Sequence, residues 1–254
     1  MNNLRAEIEL NFDHFFQNLP SEVSAVTKAL SNEKGRFLDS YFRLVTLQAW
    51  RTNLIDVISD SAANEFFKEA QNDALVSHSL ARQGSWRVAL ICLRSCIENV
   101  LFGLYYLDHP IELVQWHSGG HLLGFTETIA YLAKHPSLSG VAESITGIDV
   151  IKSEYATLSK AVHGSAVHFR MTKGGVVQGL NIDSLPDLGA WLTRERQTLV
   201  GLNLLLVAFF HKHLGGAAHP NVRKVLGFTI PAAKHAEIKK QFGVLIRALK
   251  PKDD

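Results

Sequence analysis

Along residues 85–107 the apolar positions Trp86, Leu90, Leu93, Ile97, Val100, Leu104 and Leu107 recur at steps of three and four, the period of one helix face. Gly84 breaks the preceding segment, Ser85 is a good N-cap, and Asp108-His109-Pro110 ends the run. The flanking positions are nearly all apolar too, so this helix is expected to be covered on most sides and to organise the rest of the chain.

The same periodicity predicts helices on either side. Leu4, Ile8, Phe12 and Phe15 share one side of a short helix over 4–19, closed by Pro20. Ser21-Glu22 open another that ends before Asn32. Residues 36–59 follow helical spacing only approximately, through Phe37, Tyr41, Leu44, Trp50, Leu54 and Val57. Asp60 or Ser61 caps the next helix, which runs through Phe66, Phe67, Ala70, Ala74 and Leu80 to Gln83. So short a break before the central helix favours an antiparallel neighbour.

Beyond Pro110 a short helix leads into a Gly-rich turn flanked by His117 and His121, and residues 122–133 are helical. Asp149 caps a helix to His163 with Ile151, Tyr155, Leu158 and Val162 as its buried stripe. Lys152, Ala156, Ser159 and His163 form a second stripe beside it, where a helix can line a cleft. Alternation on both sides of Lys173-Gly174-Gly175 predicts a β-hairpin over about 166–182. Ser184 or Asp187 opens a long helix through Trp191, Leu199, Leu202, Leu206 and Phe209 to Gly215, and a final helix runs from Pro231 to about residue 249. The expectation is all-α: one domain over 1–254, an antiparallel helical bundle with one inserted hairpin.

Composition adds little, but the distribution of charge adds something. The 254 residues carry a formal net charge of +2. Residues 211–254 hold nine Lys or Arg against three acids, whereas residues 1–210 are net acidic. This basic C-terminal segment is suited to phosphates or to an acidic partner. Cys92 and Cys96 lie on the central helix as packing residues, which suits a reducing compartment. His117 and His121 lack a third ligand at diagnostic spacing, so neither metal nor cofactor is expected. The first residues lack a signal peptide's apolar core, and the longest uninterrupted apolar run, 204–210, is too short for a bilayer. A cytoplasmic protein without membrane attachment is expected.

Arg94 and Glu98, four residues apart on the central helix, need an explanation, because a charge on a covered helix is costly unless paired. They are either a salt bridge that fixes packing or the floor of a polar pocket.

Three features together resemble the HEPN superfamily of prokaryotic helical-bundle proteins. They are the central helix with its Arg94-Ser95-Cys96-Ile97-Glu98 core, the stretch from Tyr155 through Leu158 and Ser159 to His163-Gly164, and the helix packed just before the first. The resemblance covers roughly residues 61–164. It implies a bundle of four or five helices, often dimeric, in systems of phage defence or toxin–antitoxin type. Many members are metal-independent ribonucleases with an Arg-x(4–6)-His motif, in which the His moves protons on the RNA 2′-hydroxyl and the Arg steadies the phosphate.

His163 matches the histidine of that motif by position. The places open to the arginine hold Ala156, Thr157 and Leu158, so Arg94 would have to act from the neighbouring helix. On this basis His163, Arg94, Glu98, Ser159 and Tyr155 are the candidate catalytic residues, and Lys160, Arg170, Lys239 and Lys240 the candidate nucleic-acid contacts. RNA or a nucleotide, a partner protein encoded nearby and a second copy of the chain are the expected partners. The dimer also draws on the apolar content of residues 199–210, which with the central helix is more than one domain is expected to need. The alternative is a non-catalytic interaction or nucleic-acid-binding subunit in which Arg94, Glu98 and His163 form an internal polar network.

Overall fold

The computed structural model describes residues 2–163, 172–173, 176–177, 181–215 and 219–247. The chain is predominantly helical. Helices α1 (Asn2–Phe16) and α2 (Leu19–Leu30) come first. Pro20 lies in the first turn of α2 instead of closing α1, since that turn leaves its N–H groups unpaired and loses nothing to a proline. Of the predicted apolar side of α1, Leu4, Ile8 and Phe12 are exposed, and the Phe15 side chain lies outside what is described.

Helix α3 (Lys34–Trp50) runs through a π-helical turn, Arg51–Ile55, into the short α4 (Asp56–Ile58). A π turn accommodates an extra residue and shifts the helix phase. Hence Trp50, Leu54 and Ile55 can all be buried, and hence the loose periodicity of this segment.

Helices α5 (Asn64–Arg82) and α6 (Trp86–Asp108) form the closest pair. Their contacts run in opposite order along the two chains: Phe67 lies against Gly103, Asp73 bonds Asn99 at 2.8 Å, and the Ser77 hydroxyl donates to the Ala89 carbonyl at 2.7 Å. The pair is antiparallel. Gly103 allows this approach, because a Cβ there would stand 2.8 Å from the Phe67 ring. Ser85 occupies the N-cap position of α6, where its carbonyl, not its side chain, bonds the first turn, accepting from Ala89 N–H at 3.0 Å. Leu93, Ile97 and Leu104 are fully buried.

Next come α7 (Pro110–His117), α8 (Phe125–Lys134) and α9 (Glu143–Thr146). Helix α8 starts later than expected and leaves Leu122 exposed. Helix α10 (Ile148–His163) lies against α6, and α11 (Leu185–Leu214) against α10, α6 and α3. Gly147, at φ +75°, faces Gly201 so closely that a Cβ would meet the Gly201 carbonyl oxygen at 2.4 Å. Every residue of α11 from 198 to 208 is buried. The apolar content of 199–210 is thus covered within one chain, and that argument for a second subunit falls away.

Helix α6 is 23 residues long and, by length and composition, apolar enough to cross a bilayer, contrary to what uninterrupted apolar runs suggested. Here it packs against α5, α8, α10 and α11.

The chain ends in α12 (Pro220–Val225) and α13 (Ala232–Phe242). Gly243, at φ +68°, stops α13 short of the expected 249. Val244 and Ile246 are then buried while Leu245 is exposed, the alternation of extended chain. Of the predicted hairpin, the described residues include an antiparallel ladder of Thr172 with Val177 and Lys173 with Val176. Most of the rest of 166–182 lies outside them. The return is pinned to the α5–α6 corner, where Trp86 Nε1 donates to the Ile182 carbonyl at 2.8 Å.

Ile97→Ala is expected to cost about 2–5 kcal/mol by removing fully buried methyl groups from α6. A urea midpoint unchanged by the substitution would contradict this placement.

Candidate functional site

Arg94 and Glu98 project from α6 toward α10, and Tyr155 meets them. Arg94 Nη2 lies 2.9 Å from Glu98 Oε1 and donates to the Tyr155 hydroxyl at 2.6 Å. That hydroxyl donates to Glu98 Oε1 at 2.7 Å. The guanidinium carbon sits 4.8 Å from the Tyr155 ring centre, and Phe125 stacks on the same ring at 3.6 Å. Arg94 and Glu98 are each 25% exposed, so the triad is a half-open rivet between two helices. Burial, then the Glu98 hydrogen bond, raise the pKa of Tyr155, so its hydroxyl keeps its proton. Arg94 Nε is buried without a hydrogen-bond partner.

The other predicted catalytic residues do not join this group. The Ser159 hydroxyl is turned onto its own helix, donating to the Tyr155 carbonyl at 2.7 Å. His163 is exposed at the end of α10, eight residues past Tyr155, or about 12 Å along the axis. Opposite that end stands Arg87, which donates to the Ala161 and Val162 carbonyls at 2.9 and 3.1 Å. Arg87 thus answers the negative end of α10. Phase is the reason His163 misses Arg94: the antiparallel crossing places the middle of α10, not its end, opposite residues 94–98. Lys160, Lys239 and Lys240 are exposed, and Arg170 lies outside the described residues.

Along the same side of α6, Asn99 and Ser95 bond Asp73 of α5. Burial raises the Asp73 pKa against those bonds, with nearby Glu98 adding to the rise. Burial likewise raises both cysteine thiols, which stay protonated and unreactive. Among the described residues no group of three His, Cys, Asp or Glu side chains could hold a metal ion. His121 instead bonds the Tyr106 hydroxyl at 3.1 Å.

The most deeply buried ionic group was not anticipated. Arg43 of α3 reaches both carboxylate oxygens of Glu195 on α11, at 3.3 and 2.9 Å from Nε, with side chains only 6% and 1% exposed. Ser40 also hydrogen-bonds Glu195, and its Oγ lies 3.1 Å from His78 Nδ1. His78 in turn lies among the rings of Phe37, Tyr41 and Trp191. The sequence did carry a signal. Glu195 stands four residues after Trp191 and four before Leu199, in phase with the buried stripe of its helix.

No family model, no curated protein and no solved structure matches the chain.

Burial outweighs Arg43 and Ser40 and pushes the Glu195 carboxyl from 4.5 up to about 7. The folded protein then holds a proton that the unfolded chain has released, so this group's contribution to stability falls as pH rises from 4.5 to about 7. For His78, burial, then Arg82 and Arg43, lower the pKa from 6.5 to about 4. Here the unfolded chain takes up the proton first, and stability is lost as pH falls through that window. His78→Phe removes the second slope alone. Urea titrations should show the variant gaining stability relative to the wild type as pH drops from about 6.5 to 4.5. A constant difference would refute the assignment.

Breaking the pair is a separate test. Arg43→Leu alone should cost about 3–5 kcal/mol, because it strands a buried carboxylate, while Arg43→Leu with Glu195→Leu should recover most of that loss. Equal losses in the single and double variants would mean the two charges are not coupled.

Proposed function

We propose that the chain is a helical nucleic-acid-binding module, the non-catalytic counterpart of the HEPN-like effectors it resembles, acting in a defence or toxin–antitoxin setting. The observation that carries this is the segregation of positive charge. Nine Lys or Arg stand against three acids in residues 211–254, while residues 1–210 hold 17 basic and 21 acidic side chains. Helix α13 buries Ile238 and Phe242 and leaves Lys239 and Lys240 exposed. The His211 ring lies 5.2 Å from Phe242, which brings the end of α11, with exposed Lys212 and His213, beside α13. Glu237 is 3.8 Å from Lys234, so the acid of this surface is already partnered. Exposed lysines that form no ion pair among the described residues attract phosphates by counterion release, without reading sequence.

The catalytic alternative has less support. Arg94 is neutralised by Glu98 and shared with Tyr155, and His163 stands about two turns away. An acid–base group and a phosphate-steadying cation are therefore not aimed at one point.

Fluorescence anisotropy with a short single-stranded RNA tests the proposal. Binding should weaken steeply with salt, and Lys239→Glu with Lys240→Glu should weaken it about tenfold or more and flatten the salt slope by about 0.7 per lost contact. The RNA should stay intact, and His163→Ala should change neither affinity nor melting temperature. Absence of binding at about 50 mM salt would sink the proposal, and cleavage abolished by His163→Ala would replace it with the ribonuclease reading.

A further inference from the structure

Where the start of α3 meets the end of α5, a cavity of about 310 Å³ opens beside His78. Its wall from α3 carries Lys34, Phe37 and Tyr41, on one face at steps of three and four. Its wall from α5 carries His78 and Arg82, one turn apart. The antiparallel crossing of α3 and α5 sets both cations at one end of the cavity and the rings at the other. No carboxylate lines it. Neither Lys34 nor Arg82 forms an ion pair among the described residues; of the acids nearby, Glu33 pairs with Arg36 and Glu195 with Arg43, and Asp39 is exposed to solvent outside the lining. The cavity thus holds two uncompensated positive charges.

A hydrogen bond beneath it fixes which nitrogen His78 offers. The Ser40 hydroxyl occupies His78 Nδ1 at 3.1 Å, which leaves Nε2 as the ring nitrogen open to a ligand. Burial and the two arginines keep the ring neutral. Phe37 is buried at the base and Tyr41 is half exposed, so the walls beside His78 are flat and apolar.

We propose that this cavity binds a small planar aromatic anion, its phosphate or carboxylate held by Lys34 and Arg82, its ring against Phe37 and Tyr41, and a polar atom of the ring hydrogen-bonded to His78 Nε2. The size suits one ring system with one anionic arm. A nucleoside monophosphate and an indole carboxylate share this chemistry and are the two sources to separate.

Calorimetry on the full chain, with the His78 ring protons followed by NMR, uses adenosine 5′-monophosphate, indole-3-carboxylate, uncharged adenosine and inorganic phosphate as probes. One or both aromatic anions should bind and shift the His78 signals, and whichever does so names the source. Adenosine and phosphate alone should bind at least about tenfold more weakly. Lys34→Ala with Arg82→Ala should weaken the anion about tenfold or more, Tyr41→Ala should weaken it independently, and Lys239→Glu with Lys240→Glu should leave it unchanged. All these side chains are exposed, so melting temperatures should stay near the wild type. Failure of both anions to bind below about 10 mM overturns the proposal, as does phosphate binding as well as the nucleotide, or binding lost only in the Lys239/Lys240 variant.

Discussion

A carboxylate placed at the centre of a helix face has to be matched or the face cannot be buried. Glu195 sits in the stripe by which α11 enters the core, and Arg43 comes from α3 to meet it. Because the guanidinium fork has fixed geometry, the pair specifies which turn of α3 stands beside which turn of α11. The next layer repeats the device without charge. Asn203, fully buried, donates to the Thr46 hydroxyl and accepts from Trp50 Nε1 at 2.9 Å. Two polar contacts, two turns apart, hold one register between two apolar helices that could otherwise slide. Net stability is not their main product, since apolar replacements of buried pairs are often as stable.

The triad on α6 does the same work in a different environment. Arg94, Glu98 and Tyr155 tie α6 to α10 at the rim, where water shares the burden of solvation. A third tie, Arg194 to buried Glu154 at 2.8 Å, joins α10 to α11. Each neighbouring pair of helices in the set α3–α11–α10–α6 therefore carries its own directional contact. Apolar packing drives the collapse, and these contacts choose one arrangement from those that packing would tolerate.

Much of this was legible in the sequence. The helices were visible because their apolar residues keep the 3.6 period, and Leu93, Ile97 and Leu104 are buried as that period required. Arg94 and Glu98 were visible because charge on an apolar helix is conspicuous. What was hidden depends on crossings between helices. Tyr155 reaches the pair, and His163 does not, because of where α10 crosses α6, which no local period encodes. Arg43 and Glu195 escaped notice for a related reason: each looks like an ordinary surface charge until its position is counted in phase with Leu47 or Leu199. The end of α13 was misjudged because residues 244–246 alternate their burial as extended chain while remaining apolar enough to read as helix.

The π turn at Arg51–Ile55 has a further implication for how this architecture tolerates change in length. Each residue in a helix rotates the chain by about 100°. Upstream of the turn, Ser40, Arg43 and Leu47 face the core; within it, Leu54 and Ile55 do. The extra residue absorbs the difference between those two faces. With one residue fewer here, an unbroken α-helix would carry the flanking stretches in the orientations they now have, whereas the same residues wound as a regular α-helix would turn everything beyond by about 100°. Either Arg43 would leave Glu195 alone in the interior, or Leu54 and Ile55 would turn to solvent. The locally imperfect helix is thus the form in which the segment serves two packing surfaces at once, and the loss of one residue is absorbed most easily at this turn.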